Sequence, residues 1–150
     1  MTDAAATGQQ YRAHVERSSD ARHARATIRQ FTLDTGVRRG DAAAGPNAVE
    51  TLLTALGTCL LTSLAMVADA SKLDVRAASV DLTASRQDRP PRVTGVEYVL
   101  RVDCPAADER VAHLIDLAER NSTVLGSLRG GSFPITGRWE RARATAGEIG

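Results

Sequence analysis

Aromatic residues are nearly absent from this sequence: two Phe, two Tyr and one Trp make up 3% of its 150 residues. With a hydrophobic share of 43%, any core must be built from Ala, Val, Leu and Ile, and any pocket will be aliphatic. Cysteine is scarce as well. Cys59 and Cys104 stand far apart and form no CxxC pair, and with His14, His23 and His113 they show no metal-ligand spacing. No metal or cofactor is expected. Two isolated thiols suit a reducing cytoplasm, where a cysteine is free or redox-active and not a structural staple. Charge of one sign is lacking too: 19 basic and 18 acidic residues leave a net +1, interspersed along the chain. That excludes a polyanion-binding surface, so no nucleic-acid partner is expected. The N-terminus, MTDAAATGQQ, has no basic stretch leading into an apolar run, so no signal peptide is expected.

The length suits one domain with one core. Residues 1–9 read as a flexible tail, 10–142 as a single domain and 143–150 as a C-terminal tail. YRAHVERSSD alternates, with Tyr11, Ala13 and Val15 on one face, and HARATIRQFTLDT reads as its antiparallel partner strand. A helix is expected from Asn47 to about Ala70, since Asn47 and Glu50 match a capping box after Pro46. The stretch from Thr51 to Ala68 is uncharged and just long enough to raise a membrane span. Its Ser and Thr side chains and Gly57 favour a buried helix instead, and no membrane partner is expected. This helix is apolar around most of its circumference, which a small chain cannot cover alone, so a partner subunit is expected.

Two strands follow. The first carries Val80, Leu82 and Ala84 in alternation; the second carries Val96, Tyr98, Leu100, Val102 and Cys104 on one face. QDRPPR is the turn between them. PAADERVAHLIDLAERN is an amphipathic helix with a stripe of Val111, Leu114, Ile115 and Ala118. A short helix, TVLGSL, and a last strand with Phe133, Ile135 and Trp139 facing inward complete the chain. The order ββαββααβ reads as α+β with mainly antiparallel pairing.

Cys59 is the candidate reactive atom. In a helix it shares a face with Leu52, Ala55, Leu56, Thr62, Ser63 and Met66, an apolar surface with two hydroxyls that can hydrogen-bond a thiolate weakly. It lies about three turns past the helix start, beyond the reach of the helix dipole. Desolvation alone would raise its pKa and leave an inert core thiol. A reactive Cys59 is therefore expected to need a cation, with Arg38 and Arg39 in the preceding loop as the first candidates, then Arg22 and Arg25.

GPNAVETLLTALGTC resembles the signature of the OsmC/Ohr family of thiol peroxidases, in which a Gly-Pro opening precedes a helical cysteine by this spacing. RQDRPPRVTGVEYVLRV and DLAERNSTVLGSL extend the likeness, in order and spacing, over about residues 35 to 140. It sits nearer the OsmC-like branch than the organic hydroperoxide resistance branch proper. The resemblance implies an OsmC-like fold, with antiparallel sheets around a long buried central helix, in an intertwined homodimer with active sites at the interface. It also implies that Cys59 is a peroxidatic cysteine. The family's second, resolving cysteine is here replaced by Ser122, and the glutamate that holds an arginine beside the thiolate in the hydroperoxide branch is here Val49.

Ser122 or Asn121 is expected to cap the short helix, with a polar role for Ser122 beside the thiolate as the alternative. Cys104 is expected to be a buried strand-end residue in preference to a substitute resolving thiol. Two functions stay open. One is a one-cysteine peroxidase acting on organic hydroperoxides or hydrogen peroxide, with Cys59, Arg39, Arg38 and Ser122 as its site and an external thiol as reductant. The other is a non-enzymatic dimer binding a small apolar ligand.

Overall fold

The computed structural model describes residues 8–142. The two expected tails, 1–9 and 143–150, therefore lie wholly or mostly outside the described residues. The chain divides into two compact units, one ending at Thr51 and one beginning at Leu52.

The first unit is a three-stranded antiparallel sheet in the order β1 (His14–Arg17), β2 (His23–Ile28), β3 (Phe31–Gly36). The expected second strand is thus two strands. It breaks after Ile28, which pairs with Phe31 across a two-residue turn whose Arg29 has φ +55°. The Arg29 guanidinium lies 5.1 Å from the Phe31 ring centre, a cation–π contact that favours this conformation in a residue without glycine's freedom. In register, Val15, Ala26 and Leu33 form one row of the sheet, and Glu16, Arg25 and Asp34 another on the opposite face. Arg25 and Asp34 make a two-pronged pair across the strands at 2.8 and 3.2 Å. After β3, the chain turns through a short 3-10 segment, Ala42–Ala44. Arg22 grips Asp41 at 2.6 and 3.1 Å, which holds this turn against the start of β2.

Helix α1 (Ala48–Ser71) starts as the sequence predicts. The Glu50 amide donates to Asn47 Oδ1 at 3.0 Å, and the Asn47 amide donates to Glu50 Oε2 at 3.2 Å, a reciprocal capping box. It stops at Lys72, whose φ of +53° lets the Leu73 amide reach the Ala68 carbonyl at 3.0 Å and its own amide reach Asp69 at 3.2 Å. This pair of bonds is the Schellman closure, here with lysine at the left-handed position.

The second unit holds a sheet in the order β4 (Ala77–Asp88), β5 (Pro91–Asp103), β6 (Ile135–Arg141). β4 and β5 form the expected hairpin. β6 pairs with β5 in parallel, the exception to the antiparallel pattern. A parallel neighbour needs a crossover, and α2 (Asp108–Asn121) with α3 (Thr123–Leu128) supplies it. The inward row of β5 is buried from Val96 to Cys104, and the α2 stripe of Val111, Leu114, Ile115 and Ala118 is buried as expected. They meet Leu56, Leu60, Leu64 and Ala68 of α1 in one core. α1 is long and apolar enough to cross a membrane by length and composition; this buried row is its contribution to that core. Gly57 lets it approach β4, since a Cβ there would stand 3.0 Å from Leu82 and 3.1 Å from Val80. Arg141, at the end of β6, donates to the carbonyls of Cys104 and Ala106 at 2.6 and 2.7 Å and fixes the turn into α2.

Candidate active site

The core of the second unit fixes where Cys59 points. Leu56, Leu60 and Ser63 on the same helix are buried, while Thr58 and Thr62 are exposed, so Cys59 sits at the margin of the core, half-buried. Its sulphur faces the corner between α2 and α3. The Val124 amide donates to Cys59 Sγ at 3.4 Å, and the Thr123 amide and the hydroxyls of Ser122 and Ser63 lie near enough to favour the thiolate.

This corner exists because α2 ends at Asn121 and Ser122 adopts an extended conformation (φ −77°, ψ 109°) before α3 begins. A helix start leaves its first amides without intrahelical acceptors. Here each finds one. The amides of Thr123 and Val124 turn to the sulphur, and the Leu125 amide donates to Ser122 Oγ at 3.4 Å. The Gly126 amide begins the helical ladder with the Ser122 carbonyl at 2.9 Å. Ser122 is therefore the helix cap expected from the sequence and, through the same hydroxyl, a neighbour of the thiol.

Burial pushes the Cys59 pKa up, but the hydrogen bonds from Ser122, Val124, Thr123 and Ser63 outweigh it, and the thiol lies below its ordinary value of 9.0. The downward shift comes from these hydrogen-bonding groups, and no cation is among its causes. Of the two hydroxyls expected on the cysteine's face, Ser63 serves and Thr62 does not. The Thr62 hydroxyl donates to the Thr58 carbonyl at 2.8 Å instead, the usual recourse of a threonine inside a helix.

Ser63 and Ser122 are buried, 4% and 2% exposed, and both hydroxyls lie beside this sulphur. A buried hydroxyl costs free energy unless it is partnered. The other candidates are distributed differently. Arg38 and Arg39 lie in the first unit, exposed, in the turn after β3, where Arg38 acts electrostatically on Asp41. Cys104 is a free thiol, 2% exposed, at the end of β5, the buried strand-end position expected for it. Among the described residues, no group of three or more His, Cys, Asp or Glu side chains gathers as metal ligands.

The family profile described as OsmC-like protein matches residues 38–136, a span that contains Cys59, the α2–α3 corner and the start of β6. The chain belongs to the OsmC-like family. Solved structures of the same fold include an OsmC-like protein from Mycoplasma pneumoniae, 18% identical, with a TM-score of 0.82 over 90% of this chain and 99% of that one. The organic hydroperoxide resistance protein OhrB of Bacillus subtilis is 16% identical, with a TM-score of 0.63 over 89% of this chain and 98% of that one. An organic hydroperoxide resistance protein from Elizabethkingia anophelis is 14% identical, with a TM-score of 0.66 over 90% and 99%. No curated protein matches the sequence significantly. At such identities these structures establish the fold, which is the α+β OsmC-like architecture read from the sequence.

Proposed function

We propose that this OsmC-like protein is a one-cysteine, thiol-dependent peroxidase whose nucleophile is Cys59. The observation that carries the reading is the Val124 amide donating to Cys59 Sγ at 3.4 Å at a corner where the Thr123 amide and the Ser122 and Ser63 hydroxyls also favour the thiolate. A thiolate needs such donors. Several structures sharing the fold are those of organic hydroperoxide resistance proteins, which fits the same chemistry.

In this reading the Cys59 thiolate attacks one oxygen of the hydroperoxide. The S–O bond forms as the O–O bond breaks, and the alkoxide takes a proton and leaves as an alcohol. The sulfenic acid that remains has Ser122 beside it, which cannot close a disulfide. An external thiol displaces its oxygen as water, and a second thiol releases Cys59 together with an external disulfide. The electrostatic partner of the thiolate in this reading is an arginine, Arg38 or Arg39 first, a role resting on their place in the loop before α1. The protein works in a reducing cytoplasm, as a homodimer formed through the open apolar face of the first sheet.

Peroxide turnover tests the reading. With an excess of dithiol, the wild type and Cys104→Ser should consume an organic hydroperoxide at similar rates and Cys59→Ser at the buffer rate. A wild type no faster than Cys59→Ser overturns the proposal.

A further inference from the structure

The inward row of β5 reads Val96, Tyr98, Leu100, Val102, and every one of these side chains is buried. Three are aliphatic, in a chain with almost no aromatics. Tyr98, 2% exposed, is the departure, and a buried phenol needs a partner for its hydroxyl. It donates to Glu119 Oε1 at 2.5 Å. The Arg129 guanidinium acts electrostatically on the same hydroxyl. The ring has one place to lie. Gly137 of β6 is its register partner, and a Cβ at that position would stand 2.0 Å from the ring's Cζ.

Glu119 and Arg129 bracket the α2–α3 corner. Glu119 is in the last turn of α2, Arg129 follows the last residue of α3, and the three residues that bond Cys59 lie between them. Glu119 is also tied to the corner through its backbone, since its carbonyl accepts from the Ser122 amide at 3.3 Å. One residue is thus held by the sheet through its side chain and holds Ser122 through its main chain.

We infer that Tyr98 and Glu119 are positioning residues for Cys59: their hydrogen bond anchors the α2–α3 corner to β5 and so sets the distance from which Ser122 and the Thr123 and Val124 amides reach the sulphur. Neither touches the thiol. The inference rests on reading Cys59 as a thiolate held by that corner. Burial, then the Glu119 carboxylate, pushes the Tyr98 hydroxyl well above its ordinary range, which keeps it protonated and a permanent donor.

The test is the pH dependence of Cys59 alkylation by iodoacetamide in a Cys104→Ser background, which uses no peroxide. Tyr98→Phe and Glu119→Ala should each move the midpoint upward by about half a pH unit or more, slowing alkylation near neutrality roughly threefold. Glu119→Gln keeps an acceptor for the phenol and should retain the parent profile. The Tyr98→Phe/Glu119→Ala double variant should shift no further than the larger single change, because both break one bond. Folded Tyr98→Phe and Glu119→Ala proteins with the parent midpoint overturn the inference, as does a lowered Tm without a shifted profile, which would make the bond packing alone. Should Tyr98→Phe not fold, the Glu119 pair decides, since that side chain is only half-buried. A shifted midpoint in a protein that never reacts with peroxide would leave the positioning role standing and the peroxidase reading refuted.

Discussion

The hydroxyl of Ser122 serves two neighbours at once: it accepts from the Leu125 amide at 3.4 Å to cap α3, and it lies beside the sulphur of Cys59 on α1, where it favours the thiolate. One side chain therefore couples the start of a helix to the ionisation of a thiol in a different part of the sequence.

Replacing it should separate the two effects. Ser122→Ala removes the cap, at a cost of about 1 kcal/mol in a denaturant titration. It also removes a donor from the thiolate, so the Cys59 alkylation midpoint should rise. A stability loss with an unmoved midpoint would mean that the hydroxyl serves the helix only.

Ser122→Cys should create a resolving thiol. After a stoichiometric pulse of hydroperoxide, the Cys59 sulfenic acid would meet the new thiol, lose water and close a disulfide. Intact mass should then fall by two hydrogens, and no sulfenic-acid trap should attach. A trap adduct as strong as in the parent protein would show that the two side chains are not aligned for bridging.

Stability should also depend on pH through Cys59. Its folded pKa lies below the ordinary 9.0 because the hydrogen bonds favour the thiolate. Between the two values the unfolded chain holds more protons, so stability rises with pH across that window. The contribution is complete above the unfolded value and lost as pH falls through the folded one. The difference in urea stability between wild type and Cys59→Ala should therefore grow as pH approaches 9.0 from below. A constant difference would contradict the lowered pKa.

The first sheet presents Val15, Phe31 and Leu33 at 63%, 54% and 44% exposure, all on one face by their register and alternation. Such a face is a poor surface for a monomer. If a second copy covers it, Leu33→Lys and Phe31→Glu should sediment as monomers where the wild type sediments as a dimer. A wild type that is monomeric at micromolar concentration would refute that assignment.

Much of this architecture is legible in the residues alone. The β5 row from Val96 to Cys104 and the α2 stripe follow directly from periods of two and of about three and a half, because each element buries one face. The capping box at Asn47 and Glu50 is equally local. The break between β2 and β3 is not, since Arg29 and Gln30 carry no turn signature and the conformation is held by an arginine resting on Phe31. The parallel pairing of β6 is hidden for a related reason: a strand's own pattern does not tell which neighbour it will choose. The candidate site divides in the same way. Cys59, Ser63 and Ser122 can be picked out by type and position, but the Val124 amide is 65 residues from Cys59 and has no side-chain signal at all. Helix periodicity around Cys59 shows none of the α3 donors beside it, because they arrive through tertiary packing.

The central claim is that Cys59 is a peroxide-reactive thiolate, and intact mass tests it most directly. Wild type and Cys59→Ser are given one equivalent of an organic hydroperoxide in the presence of a sulfenic-acid trap. A fast single adduct on the wild type that is absent from Cys59→Ser is the predicted result. A wild type still unmodified after minutes would contradict the account and leave Cys59 as a helix-capping core residue.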